Sequence, residues 1–333
     1  MLRKEHLNYL TPIDEELLYP SSEEDPRVSC WVKKTELSLA ISANAVAIMG
    51  YPDDYGVQLN KGRTGASLGP TEIRRALYKM TANVFQNENP EIVDLGDLPM
   101  HETSQKERHA VAREIISSLV TQNTSCLTFG GGHDYAYSDV AGFLDACKNL
   151  KTQKPLIINI DAHLDVRTYS EVDKSSHNYN SGTPFRRIIE EFGDFSDMAV
   201  VGIQSQCNSR AHLRWAQDHG IRILSLDEIL LGDQPAKVAI TQFFSGLLTQ
   251  KRPVFLSVDI DGFSSAYAPG CSQSFPCGLS PQSVLPALKI AMTRSSFSSM
   301  GIYEVSPPLD QDARTSKLAA QIAHMFLSSS GLR

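Results

Sequence analysis

The segment NIDAHLDVR, at residues 159–167, places acidic and imidazole side chains at every second position directly after an apolar run. The residues of this segment that could bind a metal ion are Asp161, His163 and Asp165. In an extended chain alternate side chains share a face, so Asp161 and His163 are expected to point the same way, roughly 6 to 7 Å apart. This spacing predicts a chemical site at the end of a strand.

Three further polar clusters follow apolar runs: His133 in GGGHD, Asp259 and Asp261 in SVDID, and Glu304 in YEVSP. Each cluster alone has an ordinary structural explanation. A histidine after glycines can cap a helix, DAHLD can form a polar loop, and aspartate is a preferred helix N-cap. Four such clusters at four strand ends are far less expected by coincidence, and together they predict an active site.

Converging carboxylates repel one another unless a cation holds them, because burying unpaired charge is costly. A set of imidazoles and carboxylates without thiolate suits Mn²⁺ better than structural Zn²⁺. Six side chains are too many for one ion with open positions, but they suit two bridged ions roughly 3.5 to 4 Å apart. The predicted chemistry is metal-assisted hydrolysis with two Mn²⁺ per subunit. The six predicted ligands are His133, Asp161, His163, Asp165, Asp259 and Asp261.

The elements that position these residues follow an alternating pattern. Eight short apolar runs predict buried parallel strands, and segments of period near 3.6 between them predict crossover helices. The runs are AVAIMG, EIVDLG, SCLTFGGG, PLIINID, MAVVGI, IRILSL, VFLSVDID and SMGIYEV. The class is therefore α/β. An open sheet and a closed barrel both fit, and both place the site at the carboxyl ends of the strands.

Length and composition indicate one large globular domain. The chain has 333 residues, of which 41% are hydrophobic and 21% are charged. Residues 1–43 are charged, contain prolines and lack a regular pattern, so they are interpreted as an N-terminal extension before a catalytic domain at 44–333. A net charge of -7 and the lack of a dense basic run predict no nucleic-acid partner.

The location expected from the sequence is cytoplasmic. No apolar run reaches membrane-spanning length, and the charged N-terminus has no secretory pattern. Six cysteines are too sparse for a disulfide scaffold, so Cys271 and Cys277 are interpreted as reduced thiols. The expected partner is a small-molecule substrate, with neither a membrane nor a nucleic acid involved.

The segments GGGHD, DAHLD, SVDID followed by YAPG, and YEVSPPLD resemble, in this order, the ureohydrolase superfamily of arginases and agmatinases. NKGRTGASLGPTEIRRAL, at residues 60–77, is similar to the glycine-rich segment near its start. The resemblance extends from about Ala45 to the C-terminus. It implies a three-layer α/β/α sandwich with a mostly parallel eight-stranded sheet, rather than a barrel, and a binuclear manganese cluster. It also makes a symmetric homo-oligomer the expected state.

The resemblance also implies a role for each residue. It has a hydroxide shared by the two ions attack the substrate carbon, with Asp165 as proton carrier and Glu304 facing the cationic group. Asp161 and Asp259 are the implied bridges. One manganese would take His133, Asp161, Asp165 and Asp259, and the other would take His163, Asp161, Asp259 and Asp261.

Differences from the arginase sequence pattern narrow the range of expected substrates. Ser181 in NSGTPF stands where arginases have a histidine, so the usual proton shuttle has no assigned residue. The SGTPF form and DAHLDVR, with Arg167, resemble formimidoylglutamases, which convert N-formimidoyl-L-glutamate to L-glutamate and formamide in histidine degradation. Arg167 is predicted to bind a carboxylate bidentately. The predicted substrate-binding residues are Arg167, Asn178, Ser181, Gly182 and Glu304.

Several weaker candidates and alternatives stay open. Arg186, Arg187 and Arg210 are further possible carboxylate ligands, and Gln204, Ser205 and Asn208 are possible pocket residues. Gly132 stands where many arginase relatives have aspartate, and Asp134 is a candidate replacement. One alternative function is a guanidine ureohydrolase of the agmatinase, guanidinobutyrase or arginase-like kind. Another is a non-catalytic family member that binds a small molecule.

Overall fold

The computed structural model describes residues 6, 8–34, 41–84, 90–99, 103–169 and 179–330. Within these ranges the chain forms a nine-stranded sheet, and all neighbouring strands pair in parallel. The strands are β1 (Val32–Lys34), β2 (Val46–Gly50), β3 (Ile92–Asp97), β4 (Ser125–Phe129), β5 (Leu156–Ile160), β6 (Asp197–Ile203), β7 (Arg222–Ser225), β8 (Pro253–Asp259) and β9 (Phe297–Tyr303).

The described helices cover both faces of the sheet. Within this part of the chain, no helix is long and apolar enough to cross a membrane. The helices are α1 (Tyr55–Leu59), α2 (Gly69–Leu77), α3 (Gln105–Thr121), α4 (Tyr135–Asn149), α5 (Pro184–Phe192), α6 (Arg210–Asp218), α7 (Leu226–Leu231), α8 (Ala236–Leu247), α9 (Pro281–Arg294) and α10 (Arg314–Ser330).

Two hydrophobic cores lie on opposite faces of the sheet, because successive strand residues point in opposite directions. Ile158 belongs to the core that contains residues of α2, α8, α9 and α10. Its neighbour Ile157 belongs to the core that contains residues of α3, α4 and α5. The architecture is therefore a three-layer α/β/α sandwich with an open parallel sheet, which confirms the predicted fold class.

All eight apolar runs form strands, and the sheet has one strand more than expected. Strand β1 consists of the residues VKK and lies at the edge of the sheet beside β3. A charged three-residue strand gives no apolar signal, so the sequence did not predict it. It lies within residues 1–43, and the boundary of the catalytic domain at residue 44 stays a prediction.

Helix α4 follows β4, as the alternation of strands and helices predicts, although its own sequence has only a weak helical period. Its buried residues include Tyr135, Asp139, Val140 and Phe143, and they surround the helix on most sides. A helix buried all round has no polar stripe, so its period of 3.6 is weak. The helix packs between its neighbours α3 and α5.

The strand order decides where the polar clusters meet. The order is β1-β3-β2-β4-β9-β8-β5-β6-β7, so β4, β9, β8 and β5 are four adjacent strands. These are the strands that precede or contain the four polar clusters. In a parallel sheet all carboxyl ends lie at one edge, so the clusters converge there.

Candidate metal centre and substrate cavity

The first cluster surrounds the imidazole of His133. Its Nδ1 lies 2.8 Å from Asp165 Oδ2, 3.1 Å from Asp259 Oδ2 and 3.4 Å from Asp161 Oδ2. The other ring nitrogen, Nε2, is 3.0 Å from Ser257 Oγ. A hydrogen bond at that nitrogen orients the ring, as is typical of metal-binding histidines.

The second cluster surrounds His163. Its Nδ1 lies 3.1 Å from Asp261 Oδ2 and 3.4 Å from Asp161 Oδ1. Asp161 therefore presents one carboxylate oxygen to each histidine, as a bridging carboxylate would. Asp161 Oδ2, the oxygen that faces His133, also accepts a hydrogen bond of 2.9 Å from Asn159 Nδ2. Its side chain is held between the two clusters.

The six predicted ligands therefore form two potential ligand groups that share Asp161. Potential ligand atoms of His133, Asp161, Asp165 and Asp259 lie within 4.8 Å of one another, and so do those of Asp161, His163 and Asp261. Asp259 belongs to the first group. Its Oδ1 accepts a 2.9 Å hydrogen bond from the backbone N–H of Asp261, which ties the first group to the second.

The electrostatics of the cluster favour a bound cation. Burial, reinforced by neighbouring carboxylates, raises the pKa of Asp161 to about 7 and raises that of Asp259 well above its usual range. Burial acts to lower the pKa of His133, but the facing carboxylates of Asp165 and Asp259 raise it above its ordinary value. The carboxylates of Asp161 and Asp259 are thus too crowded to ionise freely without a compensating positive charge.

The donor chemistry fits a pair of divalent cations. Although three carboxylate oxygens surround it, the buried Nδ1 of His133 makes no hydrogen bond of acceptable geometry. A nitrogen held inside a group of carboxylate oxygens is placed as a metal ligand. Imidazoles and carboxylates without thiolate suit Mn²⁺ and related ions. The residues of this site therefore fit the expected pair of manganese ions.

Two residues at the site have a left-handed backbone, which is uncommon outside glycine. The φ angle is 50° at Asp165 and 66° at Glu304. Such conformations cost on the order of 1–3 kcal/mol and cluster at functional sites. Glu304 Oε1 accepts a 3.0 Å hydrogen bond from the backbone N–H of His133, and burial raises the pKa of Glu304 to about 8.

A cavity of about 280 Å³ opens onto the acidic cluster. Arg167 lines it together with His163, Asp165 and Glu304. Within the described part of the chain, the Arg167 guanidinium has no hydrogen-bond or ion-pair partner. It is therefore available to a ligand. The residues lining the cavity are Asn60, Gly62, His163, Asp165, Arg167, Ser181, Gln206, Cys207, Asn208, His212, Asp259, Asp261, Ser272, Gln273, Phe275 and Glu304.

The other predicted substrate-binding residues lie beside Arg167 where they are described. Ser181 lines the cavity, and its Oγ accepts a 3.0 Å hydrogen bond from Asn60 Nδ2. Gly182 O accepts a 2.9 Å hydrogen bond from Arg167 N–H. The side chain of Arg167 passes close to the α-carbon of Gly182, so any side chain at residue 182 would collide with it. Asn178 lies outside the described residues.

Gly132 and Asp134 are sterically linked. A Cβ atom at residue 132 would collide with Asp134 Oδ1, so the buried carboxylate of Asp134 leaves room only for glycine there. Asp134 Oδ2 is 2.9 Å from His109 Nε2 and accepts a 2.9 Å hydrogen bond from Gln105 Nε2. The Asp134 carboxylate is therefore attached to α3, behind the loop that carries His133.

The weaker candidates are mostly occupied elsewhere. Arg186 pairs with Glu190 at 2.8 Å, and Arg187 is buried between the rings of Tyr137 and Tyr179. Neither arginine lines the cavity, and neither does Arg210.

Of the loop residues 204–208, Asn208 lines the cavity, but Gln204 and Ser205 do not. The side chain of Asn208 is engaged with the metal-site loop: it donates to Ala162 O at 2.8 Å and accepts from Leu164 N–H at 2.9 Å. It thereby holds the loop after β6 against the DAHLD segment.

Sequence reasoning missed several cavity residues. His212 comes from the first turn of α6, and Asn60 is the first residue of the glycine-rich segment at 60–77. The other missed residues come from loops that carry no motif: Gln206, Cys207, Ser272, Gln273 and Phe275. The segment at 60–77 and the polar loop after β6 were the available signals, and neither indicates which side chains face the cavity.

Comparison with known proteins is consistent with this geometry. The profile of the Arginase family matches residues 44–328. A formimidoylglutamase of Staphylococcus aureus is 34% identical over 297 residues, covering 88% of this chain and 89% of the relative. The crystal structure of a Bacillus subtilis formimidoylglutamase matches with a TM-score of 0.80 and 25% identity, covering 95% of each chain.

A third match contains metal. The crystal structure of Trypanosoma cruzi formiminoglutamase with Mn²⁺ has a TM-score of 0.77 and 26% identity, covering 93% of this chain and 99% of that one. The chain belongs to the arginase family. It is a hydrolase of the class that cleaves the C–N bonds of amidines, with a metal-binding group of histidines and aspartates at the carboxyl ends of its strands.

Proposed function

We propose that this chain hydrolyses N-formimidoyl-L-glutamate to L-glutamate and formamide, as a step of histidine degradation. The observation that carries the proposal is the Arg167 guanidinium, which lines the same cavity as the acidic cluster and has no partner among the described residues. The proposed substrate has an amidine for the acidic cluster and carboxylates for an arginine. Relatives named formimidoylglutamase support this choice of substrate.

We propose Mn²⁺ as the metal, with two ions per subunit. When bound, the two cations supply an activated water molecule at neutral pH. Asp161 would hold both ions because its two oxygens face different histidines. Asp259, which lies in the first group, is proposed to hold both ions as well. The proposed ligands of one ion are His133, Asp161, Asp165 and Asp259, and those of the other are His163, Asp161, Asp259 and Asp261.

Glu304 and Asp165 are the proposed catalytic residues. Glu304 lines the cavity, and the His133 N–H fixes its Oε1. Its carboxylate can therefore hydrogen-bond the amidinium and hold the reacting carbon in position. Asp165 also lines the cavity. Its carboxylate takes the proton from water and returns it to the departing glutamate nitrogen as the tetrahedral intermediate collapses.

The proposed substrate contacts of Arg167 explain the preference for an anionic substrate. A guanidinium binds a carboxylate through two parallel hydrogen bonds. The cationic amine of agmatine would instead be repelled by it. Ser181 and Gly182 lie beside Arg167 and are proposed to contact the substrate. Asn178 is a further proposed substrate contact.

The experiment that tests this proposal is parallel hydrolysis by manganese-loaded enzyme. N-formimidoyl-L-glutamate, arginine, agmatine and guanidinobutyrate are offered at equal concentration, and release of glutamate or urea is followed. Glutamate from the first substrate alone supports the proposal. Urea from a guanidine substrate, with no glutamate from the first, would show a guanidine ureohydrolase instead. Elemental analysis of the active enzyme tests the requirement for two Mn²⁺.

We also propose a cytoplasmic location and a homo-oligomeric state. The six cysteines are all free thiols, which suits a reducing compartment. Sedimentation velocity of the metal-loaded enzyme tests the assembly, and a species of 36.7 kDa alone would contradict it.

A further inference from the structure

His212 occupies the first turn of α6 and lines the same cavity as Arg167. The turn is fixed by Ser209, whose Oγ accepts a 3.1 Å hydrogen bond from the backbone N–H of His212. Helix α6 begins directly after the loop of Asn208, which is bonded to the metal-site segment. The position of His212 relative to the metal-site segment is therefore set by the side-chain hydrogen bonds of Ser209 and Asn208.

The His212 imidazole has no hydrogen-bond partner within the described ranges. Among the residues that the structure describes, no side chain or backbone group hydrogen-bonds to its ring nitrogens. Neighbouring polar groups are engaged: Asn208 bonds to Ala162 and Leu164, and Gln206 Nε2 donates to Gln204 Oε1 at 2.5 Å. Among the described residues that line the cavity, the Arg167 guanidinium and the His212 imidazole are thus two nitrogen donors without a hydrogen-bond partner in that part of the chain.

The environment of His212 suits a neutral donor. Partial burial, followed by the positive charge of Arg167, lowers the pKa of His212. The nearby carboxylate of Asp165 acts in the opposite direction, and Arg186 adds to the lowering. A neutral imidazole carries one N–H, which can donate to an anionic group.

The proposed substrate has two carboxylates, and one guanidinium fork accommodates one of them. We propose that His212 is a specificity-determining residue that binds the second carboxylate of a dicarboxylate amidine, beside the carboxylate bound by Arg167. This inference rests on the proposed function and deepens it. The cavity would then distinguish dicarboxylate amidines from monocarboxylate ones through a separate contact for each acidic group.

The test uses the manganese-loaded full chain, three substrates and three variants. The substrates are N-formimidoyl-L-glutamate and two analogues that each lack one carboxylate, 4-(formimidoylamino)butanoate and N-formimidoyl-2-aminobutyrate. The variants are His212→Ala, His212→Gln, which keeps an N–H donor, and the control His219→Ala. His219 lies just beyond the other end of α6, outside the cavity.

We expect His212→Ala to raise KM for the diacid about tenfold, because the loss of one hydrogen bond to a charged group weakens binding by about that factor. The kcat value should stay within twofold of the wild type. KM for the analogue that lacks the bound carboxylate should not change. His212→Gln should stay within about threefold of the wild type, and His219→Ala should equal it. Manganese content and thermal unfolding of each variant confirm that the fold and the metal are retained.

Two results would overturn the inference. One is an unchanged KM for the diacid in His212→Ala. The other is an equal rise in KM for the diacid and both analogues, which indicates general distortion of the cavity. Failure of the proposed function looks different, because the wild-type enzyme itself would then release no glutamate from N-formimidoyl-L-glutamate.

Discussion

Replacing Gly182 by alanine is expected to displace the Arg167 guanidinium without touching the acidic cluster. A Cβ atom at residue 182 would lie 2.6 Å from Arg167 Cδ and 2.8 Å from Arg167 Nε. Unstrained non-bonded contacts between carbons lie at roughly 3.5 to 4 Å, so the middle of the arginine side chain has to move by about 1 Å. Gly182 has no left-handed φ, and its carbonyl bond to Arg167 N–H survives the change.

The magnitude follows from the contact that would be lost. A hydrogen bond to a charged group contributes about 1.5–3 kcal/mol, and each 1.4 kcal/mol is about tenfold in affinity. We therefore expect Gly182→Ala to raise KM for N-formimidoyl-L-glutamate by about 10- to 100-fold. The amidine still reaches the acidic cluster, so kcat should change little.

The assay is steady-state release of glutamate by the metal-loaded enzyme. Gly182→Ala, Arg167→Ala and the double variant are compared as a mutant cycle. If the glycine acts through Arg167, the double variant should be no worse than Arg167→Ala, whereas independent effects would add. Gly246→Ala is the matched control, because a Cβ atom there meets nothing within 4 Å.

Two outcomes would refute this reasoning in different ways. A normal KM in Gly182→Ala with a raised KM in Arg167→Ala would mean that the arginine stem accommodates the methyl group. A normal KM in both variants would remove Arg167 from the substrate contacts.

Three other changes test the site and the fold. Asp161→Ala should lose Mn²⁺ by elemental analysis and nearly all activity, and full manganese with normal turnover would contradict its place between the histidines. Arg74→Met should lower the free energy of unfolding in denaturant by about 3–5 kcal/mol, because buried Arg74 pairs with Asp94 at 2.8 Å and Asp97 at 2.6 Å; a loss below about 1 kcal/mol would refute this. Burial raises the pKa of Asp139 to about 6, so its stabilising contribution is present below about pH 4 and is lost as pH rises through 6. Asp139→Asn should therefore flatten a decline of up to about 3 kcal/mol between pH 4 and 7, and an identical decline in both proteins would argue against it.

Much of the fold could be predicted because the relevant signals are local. Seven of the eight apolar runs form short buried strands, and consecutive apolar residues such as Leu156–Ile160 show their burial on both faces. The prediction of a buried strand was wrong for β7, which lies at the edge of the sheet and is only partly buried. Strand β1 was missed because it is short and charged. Helix α4 is expected only from the alternation of strands and helices, because its burial on nearly all sides weakens its own helical period.

The substrate cavity was less predictable because side-chain direction depends on contacts between distant segments. Arg167, Arg186 and Arg187 are all arginines, and residue type alone does not show which of them faces the cavity. In the structure, Arg186 pairs with Glu190 and Arg187 lies between tyrosine rings, while Arg167 faces the cavity. His212 had no motif at all, since its role depends on the turn of α6 that Ser209 fixes.

The sequence by itself determined which side chains carry ligand chemistry and that each follows a strand, because a parallel strand and its terminal residues are contiguous in the chain. Tertiary structure decided that β4, β9, β8 and β5 are adjacent, which brings His133, Asp161 and Asp259 within reach of one another. Strand order depends on contacts between segments distant in the chain: the helices that pack on the two faces, and close approaches such as Gly56 against Asp134. These are contacts between residues far apart or differently oriented, and no local pattern encodes them.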